Sequence, residues 1–97
     1  NGQIKEEAYY KDNKLAGKYT WWNLNGKKFI EEHYKDGKLN GKLTRWFEIG
    51  LIMEEAYYKD GKLDGKWTIW ERSGEIEAEA IFKDGKCVSG NCDYYKN

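Results

Sequence analysis

The chain has 97 residues, 17 basic and 17 acidic side chains and no proline, so it holds one small domain with no net field to draw it to nucleic acid or an anionic membrane. No apolar run approaches the roughly 18 residues of a membrane-spanning helix, and the sequence contains no charged-then-apolar stretch of the kind that marks an uncleaved signal peptide. Leu, Ile, Val and Phe supply only 17 residues, fewer than ordered domains usually carry, so the 5 Trp and 8 Tyr must supply much of the core. Without a starting Met, the chain reads as a mature or trimmed polypeptide, with Asn1-Gly2 as a processing or cloning remnant.

The first landmark is Tyr10-Lys11-Asp12-Asn13-Lys14-Leu15. It returns as Tyr34-Lys35-Asp36-Gly37-Lys38-Leu39, then from Tyr58 to Leu63, and finally as Phe82-Lys83-Asp84-Gly85-Lys86-Cys87. The aspartates at 12, 36, 60 and 84 are each 24 apart, which defines four units of approximately 2–25, 26–49, 50–73 and 74–97. Gly17, Gly41 and Gly65 follow in register, and Gly90 joins them after one inserted residue.

Each unit contains a shorter run such as Lys66 to Trp70 and a longer one such as Ile76 to Phe82, both with the period of a strand. Asn25-Gly26, Ile49-Gly50 and Ser73-Gly74 close one end of the hairpins. Asp-Gly pairs close the other, where a tight primed turn requires the positive φ that Gly and Asn tolerate. The fold expected is all-β: an antiparallel hairpin meander of about eight strands in one elongated, twisted sheet, joined by nearest-neighbour contacts.

Equivalent residues should stack two strand spacings apart and form stripes. The core candidates are Trp22, Trp46, Trp70 and Tyr95; Tyr10, Tyr34, Tyr58 and Phe82; and Leu15, Leu39, Leu63 and Cys87. Glu7, Glu31, Glu55 and Glu79 form a fourth row. Its regularity marks a solvated ladder interleaved with Lys rather than a catalytic carboxylate pair.

The unit running intact from Tyr58 to Thr68 resembles the bacterial MORN-repeat variant, and the similarity spans nearly the whole chain. Proteins of that kind are frequently labelled antitoxin-like, of the YwqK type, and related MORN repeats are described as protein-binding or membrane-associating modules. The resemblance implies a hairpin-repeat fold and brings no catalytic residues.

The last unit departs from the pattern. Cys87 replaces the Leu, and Cys92 replaces the residue occupied by Tyr19, Leu43 and Trp67. The expectation is a disulfide clamping the terminal repeat. Free buried thiols are the alternative, and structural zinc would need four ligands where only His33 could join the cysteines. A bridge implies an oxidising compartment, so the protein is expected to be secreted, periplasmic or on the cell surface, with a cytoplasmic antitoxin-like role as the alternative.

His33 stands where other units have Tyr9, Tyr57 and Ile81, so it reads as a packing or surface residue. Ser73 and Ser89 lie in turns of distant units, and no glycine loop opens a helix. No catalytic, metal-ligating or cofactor-binding set is expected. The faithful Trp22 row reads as structure, and the variable positions carry recognition. Trp21, Arg45, Ile69 and Tyr94 share a register on the face opposite the Trp22 row, and with Phe47, Tyr9, His33 and Tyr57 they form the candidate partner surface. The partner expected is a protein, and the open sheet edge also permits edge-to-edge self-association.

Overall fold

The computed structural model describes residues 5–96, with side chains through Tyr94. The aligned Tyr95 side chain and the Asn1-Gly2 start lie outside the described residues. The chain runs through β1 (Lys5–Glu7), β2 (Tyr10–Lys11), β3 (Lys14–Leu15), β4 (Gly17–Trp22), β5 (Lys28–Lys35), β6 (Lys38–Leu39) and β7 (Gly41–Trp46). It continues through β8 (Ile52–Lys59), β9 (Lys62–Leu63), β10 (Gly65–Trp70), β11 (Ile76–Lys83) and β12 (Lys86–Gly90), and closes with the short helix α1 (Cys92–Lys96).

The main sheet follows chain order, β1-β4-β5-β7-β8-β10-β11-β12, with every pair antiparallel. This is the expected open meander. Short β6 and β9 attach to the ends of β5 and β8, and β2 pairs with β3 separately. The extents are 40 × 36 × 17 Å, thin along one axis. A radius of gyration of 14.5 Å exceeds the ~13 Å of a compact domain this size, as a single open layer should.

Both central residues of the Asp-Gly turns have positive φ, for example Asp60 at 51° and Gly61 at 84°, so these are the anticipated primed turns. Each turn also bonds to the unit before it: the amides of Gly37, Gly61 and Gly85 donate to the carbonyls of Leu15, Leu39 and Leu63. At the opposite end the geometry differs from expectation. Only the glycine of Asn25-Gly26 has positive φ (85°), and the Gly26 amide donates to the Asn23 carbonyl. That is the pattern of an ordinary turn followed by a glycine bulge, the commonest three-residue hairpin loop.

The shorter expected runs stand intact within β4, β7 and β10, and each is preceded by a two-residue arm that was not expected. Gly41 and Gly65, at φ of 118° and 121°, turn the chain between that arm and the following strand, so each of the two middle units contributes three strand segments instead of two. In the last unit the inserted residue is absorbed differently. Ile81 pairs with Ser89 and Phe82 with Cys87, leaving Val88 as a bulge and β12 continuous. A side chain at Gly90 is excluded, because its Cβ would lie 2.5 Å from the Glu79 carbonyl oxygen.

The sheet has two unlike faces. One carries Lys–Glu pairs: Lys18 to Glu31 at 3.7 Å, Lys42 to Glu55 at 3.1 Å and Lys66 to Glu79 at 3.2 Å. This is the ladder expected from the repeated glutamates. Burial raises the Glu31 carboxyl, but hydrogen bonding and charge from Lys28, with charge from Lys18, outweigh it and hold the group below its usual range. The opposite face holds the core, in which Ala56, Leu63, Trp67, Ala78, Ala80 and Phe82 are buried and Tyr58, Ile69 and Cys87 pack against them.

Trp22, Trp46 and Trp70, expected in the core, instead lie half-buried on the ion-pair face. Lys5 Nζ sits 5.9 Å from the Trp22 ring centroid and Lys28 Nζ 5.8 Å from that of Trp46. The row that replaces them in the core is Tyr19, Leu43 and Trp67, of which Leu43 and Trp67 are buried. The other two expected stripes do reach the core face, but burial grows along the chain. Tyr10 is 68% exposed, Tyr34 and Tyr58 are half-buried, and Phe82 is 3% exposed.

Candidate binding groove on the core face

Burial fades toward the amino end, and there the core face opens into a groove of about 450 Å³ between β1, β4 and β5. The alternation of β4 aims Tyr19 and Trp21 into it, and that of β5 aims Ile30, Glu32 and Tyr34. A register shift at Trp21/Trp22 leaves Phe29 as an extra residue on β5, and its ring meets Trp21 edge-on at 6.0 Å and 86°. Tyr19 and Tyr34 meet the same way, at 6.3 Å and 87°.

Both tyrosine hydroxyls donate to carboxylates. Tyr19 bonds Glu6, and Tyr34 bonds Glu32 Oε1 at 2.9 Å. The hydrogen bond to Glu6 pushes the Tyr19 hydroxyl up to about 12, while burial and then the bond to Glu32 do the same for Tyr34. Neither glutamate has a cationic partner among the described residues. The nearest guanidinium in the lining, that of Arg45, is held by Glu54 at 3.4 Å. The groove, which Tyr10 also lines, therefore presents five aromatic rings and two carboxylates without a cationic partner among the described residues.

Two repeats later the same positions are closed. Trp67 takes the place of Tyr19 and Phe82 that of Tyr34, again edge-on at 6.2 Å and 85°. Glu54 takes the place of Glu6 and accepts from Trp67 Nε1 at 2.7 Å. Ala78 and Ala80 stand where the groove has Ile30 and Glu32, and α1 lays Tyr94 against Trp67 at 5.9 Å. Cys87 and Cys92 form a disulfide, with Cα atoms 5.6 Å apart, that ties α1 to β12. Tyr94 is fastened further by its hydroxyl bond to Glu77 Oε2 at 2.6 Å.

The eight residues expected to form one partner surface are divided by the sheet. Trp21 and Arg45 line the groove. Ile69 shares their face but packs against the core, and Tyr94 covers Trp67. His33 and Tyr57 belong to the ion-pair face by alternation, with their Cβ atoms 3.3 Å from where a Cβ on Gly41 or Gly65 would stand. Tyr9 sits equivalently beside Gly17. The His33 ring bonds the Lys42 carbonyl through Nδ1 at 2.9 Å. Phe47 lies at the loop end, 5.1 Å beneath the Arg72 guanidinium.

Glu6, Tyr19, Phe29, Glu32 and Tyr34 were not among the expected site residues. One of them carries a signal in the repeat: positions 8, 32, 56 and 80 read Ala8, Glu32, Ala56 and Ala80, a single carboxylate in an alanine column. Among the described residues no cluster of His, Cys, Asp and Glu is arranged to hold a metal ion, and no helix is long and apolar enough to cross a membrane. In comparisons with known proteins, no family model matches the chain and no curated protein matches it.

Proposed function

We propose that the protein is a non-catalytic binding module that receives part of a protein partner in the open half of its core face. The observation that carries this reading is that one constellation occurs twice, packed shut around Trp67 and left open around Tyr19. Exposed rings in a groove of this size are the usual furniture of a recognition site, and they sit on a sheet whose other end supplies the rigidity. The test is site-specific photocrosslinking in the source cells. Trp21→p-benzoylphenylalanine should yield a covalent adduct with another polypeptide, and Ile81→p-benzoylphenylalanine, on the ion-pair face, should not. Adducts from Ile81 alone, or from neither position, overturn the reading.

The closed Cys87–Cys92 bridge supports action in an oxidising compartment, outside the cytoplasm or on the cell surface. A cytoplasmic antitoxin-like role would keep the binding face but not the bridge. Alkylation of protein taken directly from its source under denaturing conditions separates the two. Unlabelled Cys87 and Cys92 are expected, and labelling of both overturns export.

A further inference from the structure

Resting on the binding-module reading above, we propose that the groove receives a lysine or arginine side chain from a basic segment of the partner, seated among the Tyr19, Trp21 and Tyr34 rings with Glu6 and Glu32 as its counter-ions. Three observations lead there. The chain is neutral overall, and Glu31, Glu55 and Glu79 on the ion-pair face each have a lysine. Among the described residues, Glu6 and Glu32 bond only tyrosine hydroxyls. Two carboxylates facing one concavity without a cation repel each other and favour any positive group placed between them.

Glu32 stands in a column that is otherwise alanine, at a half-buried position where the fold itself is satisfied by a methyl group. Packing does not call for it. An apolar occupant would strip water from both carboxylates without replacing it, and an anionic one would be repelled, so the groove selects against both. A cation also gains from the ring faces, whose quadrupoles attract positive charge within about 6 Å. The molecule already uses this pairing on its other face, with Lys5 over Trp22 and Lys28 over Trp46. Arg45 does not fill the role from within, since Glu54 holds it at the rim.

The test uses the full ¹⁵N-labelled chain with its disulfide intact and three capped peptides, in which serine alternates with lysine, with glutamate or with norleucine. The lysine peptide should shift the Trp21 indole and the amides of β4 and β5. Doubling the variant, Glu6→Gln with Glu32→Gln, keeps an acceptor for each tyrosine hydroxyl while removing the charge, and should weaken this binding by about tenfold or more. Sodium chloride at roughly 0.5 M should weaken it as well, and Glu55→Gln on the opposite face should leave it unchanged. Failure of the lysine peptide to shift the groove, or equal binding by the Gln variant, overturns the basic occupant. If the norleucine peptide binds the same groove instead, the basic occupant is overturned while the binding-module reading stands, whose own failure would show in the crosslinking.

Discussion

Tyr19 and Trp67 occupy the same place in the repeat, two units apart. Each meets a second ring edge-on, and each donates to a glutamate 13 residues earlier in the chain. Trp67 is nevertheless buried to 3% exposure while Tyr19 stands half-open at the wall of a groove. The frame is common to both. What differs is the floor, alanine at 80 against glutamate at 32, and the cover, Tyr94 of α1 against nothing among the described residues. In a linear array the repeat unit sets the geometry of a position, and its neighbours set whether that position is a core or a surface.

The largest expected break in this comparison is a pair of truncations. Trp67→Ala should cost about 3–5 kcal/mol of stability, as removal of a buried aromatic does. Tyr19→Ala, half-exposed and with one hydroxyl bond, should cost about 1 kcal/mol. Urea unfolding followed by circular dichroism reads both, and equal losses would erase the distinction between the halves.

Next comes the cover. Replacing Cys87 and Cys92 with Ser opens a very short loop, for which chain-entropy reasoning gives about 2 kcal/mol. The loss should be accompanied by greater quenching of Trp67 by iodide as α1 lifts. An unchanged quenching profile in the Ser variant would show that Tyr94 needs no bridge to stay in place.

A smaller effect separates the halves by pH. The folded Tyr19 and Tyr34 hydroxyls hold their protons up to about 12, against an ordinary value of 10.0, so folding is favoured fully below pH 10 and loses that contribution as pH rises toward 12. Thermal melts across that window should fall less steeply for Tyr19→Phe with Tyr34→Phe than for the unaltered chain. Parallel slopes would mean that the two carboxylates do not hold these protons in the folded state.

The smallest expected change is Glu32→Ala, which restores the alanine column. Stability should move by no more than about 0.5 kcal/mol, or rise, and the lysine peptide should bind more weakly. A substantial loss of stability would assign Glu32 to the fold instead of the site.

Much of the architecture was legible because repetition multiplies weak local signals. Four Asp-Gly or Asp-Asn turns at a constant interval set the hairpins, and the Cys pair in place of two apolar residues pointed to the bridge that closes. The side of the sheet that carries the core was not legible. Tyr19-Thr20-Trp21-Trp22 offers rings to both faces, so alternation alone cannot rank them, and fidelity of repetition favoured the wrong row. In that row, Trp22 and Trp46 pack beneath Lys5 and Lys28 on the ion-pair face. The variable row beside Trp67 changes because each copy meets a different degree of cover. Phe29 was hidden for another reason: it enters the groove only through the register shift opposite Trp21, which strict alternation does not anticipate.

The turn ladder gives the array a direction in time. In every rung the later unit donates its glycine amide and the earlier unit supplies the waiting carbonyl, as Gly61 does to Leu39. A ribosome delivers the earlier partner first, so each emerging hairpin meets an acceptor already in place. The main core cluster lies the other way, with Leu63, Trp67, Ala78, Ala80 and Phe82, and the Cys87–Cys92 bridge, all in the later half. These repeats are thus templated in chain order but secured only in the later half of the array, and until then their aromatic residues stay exposed.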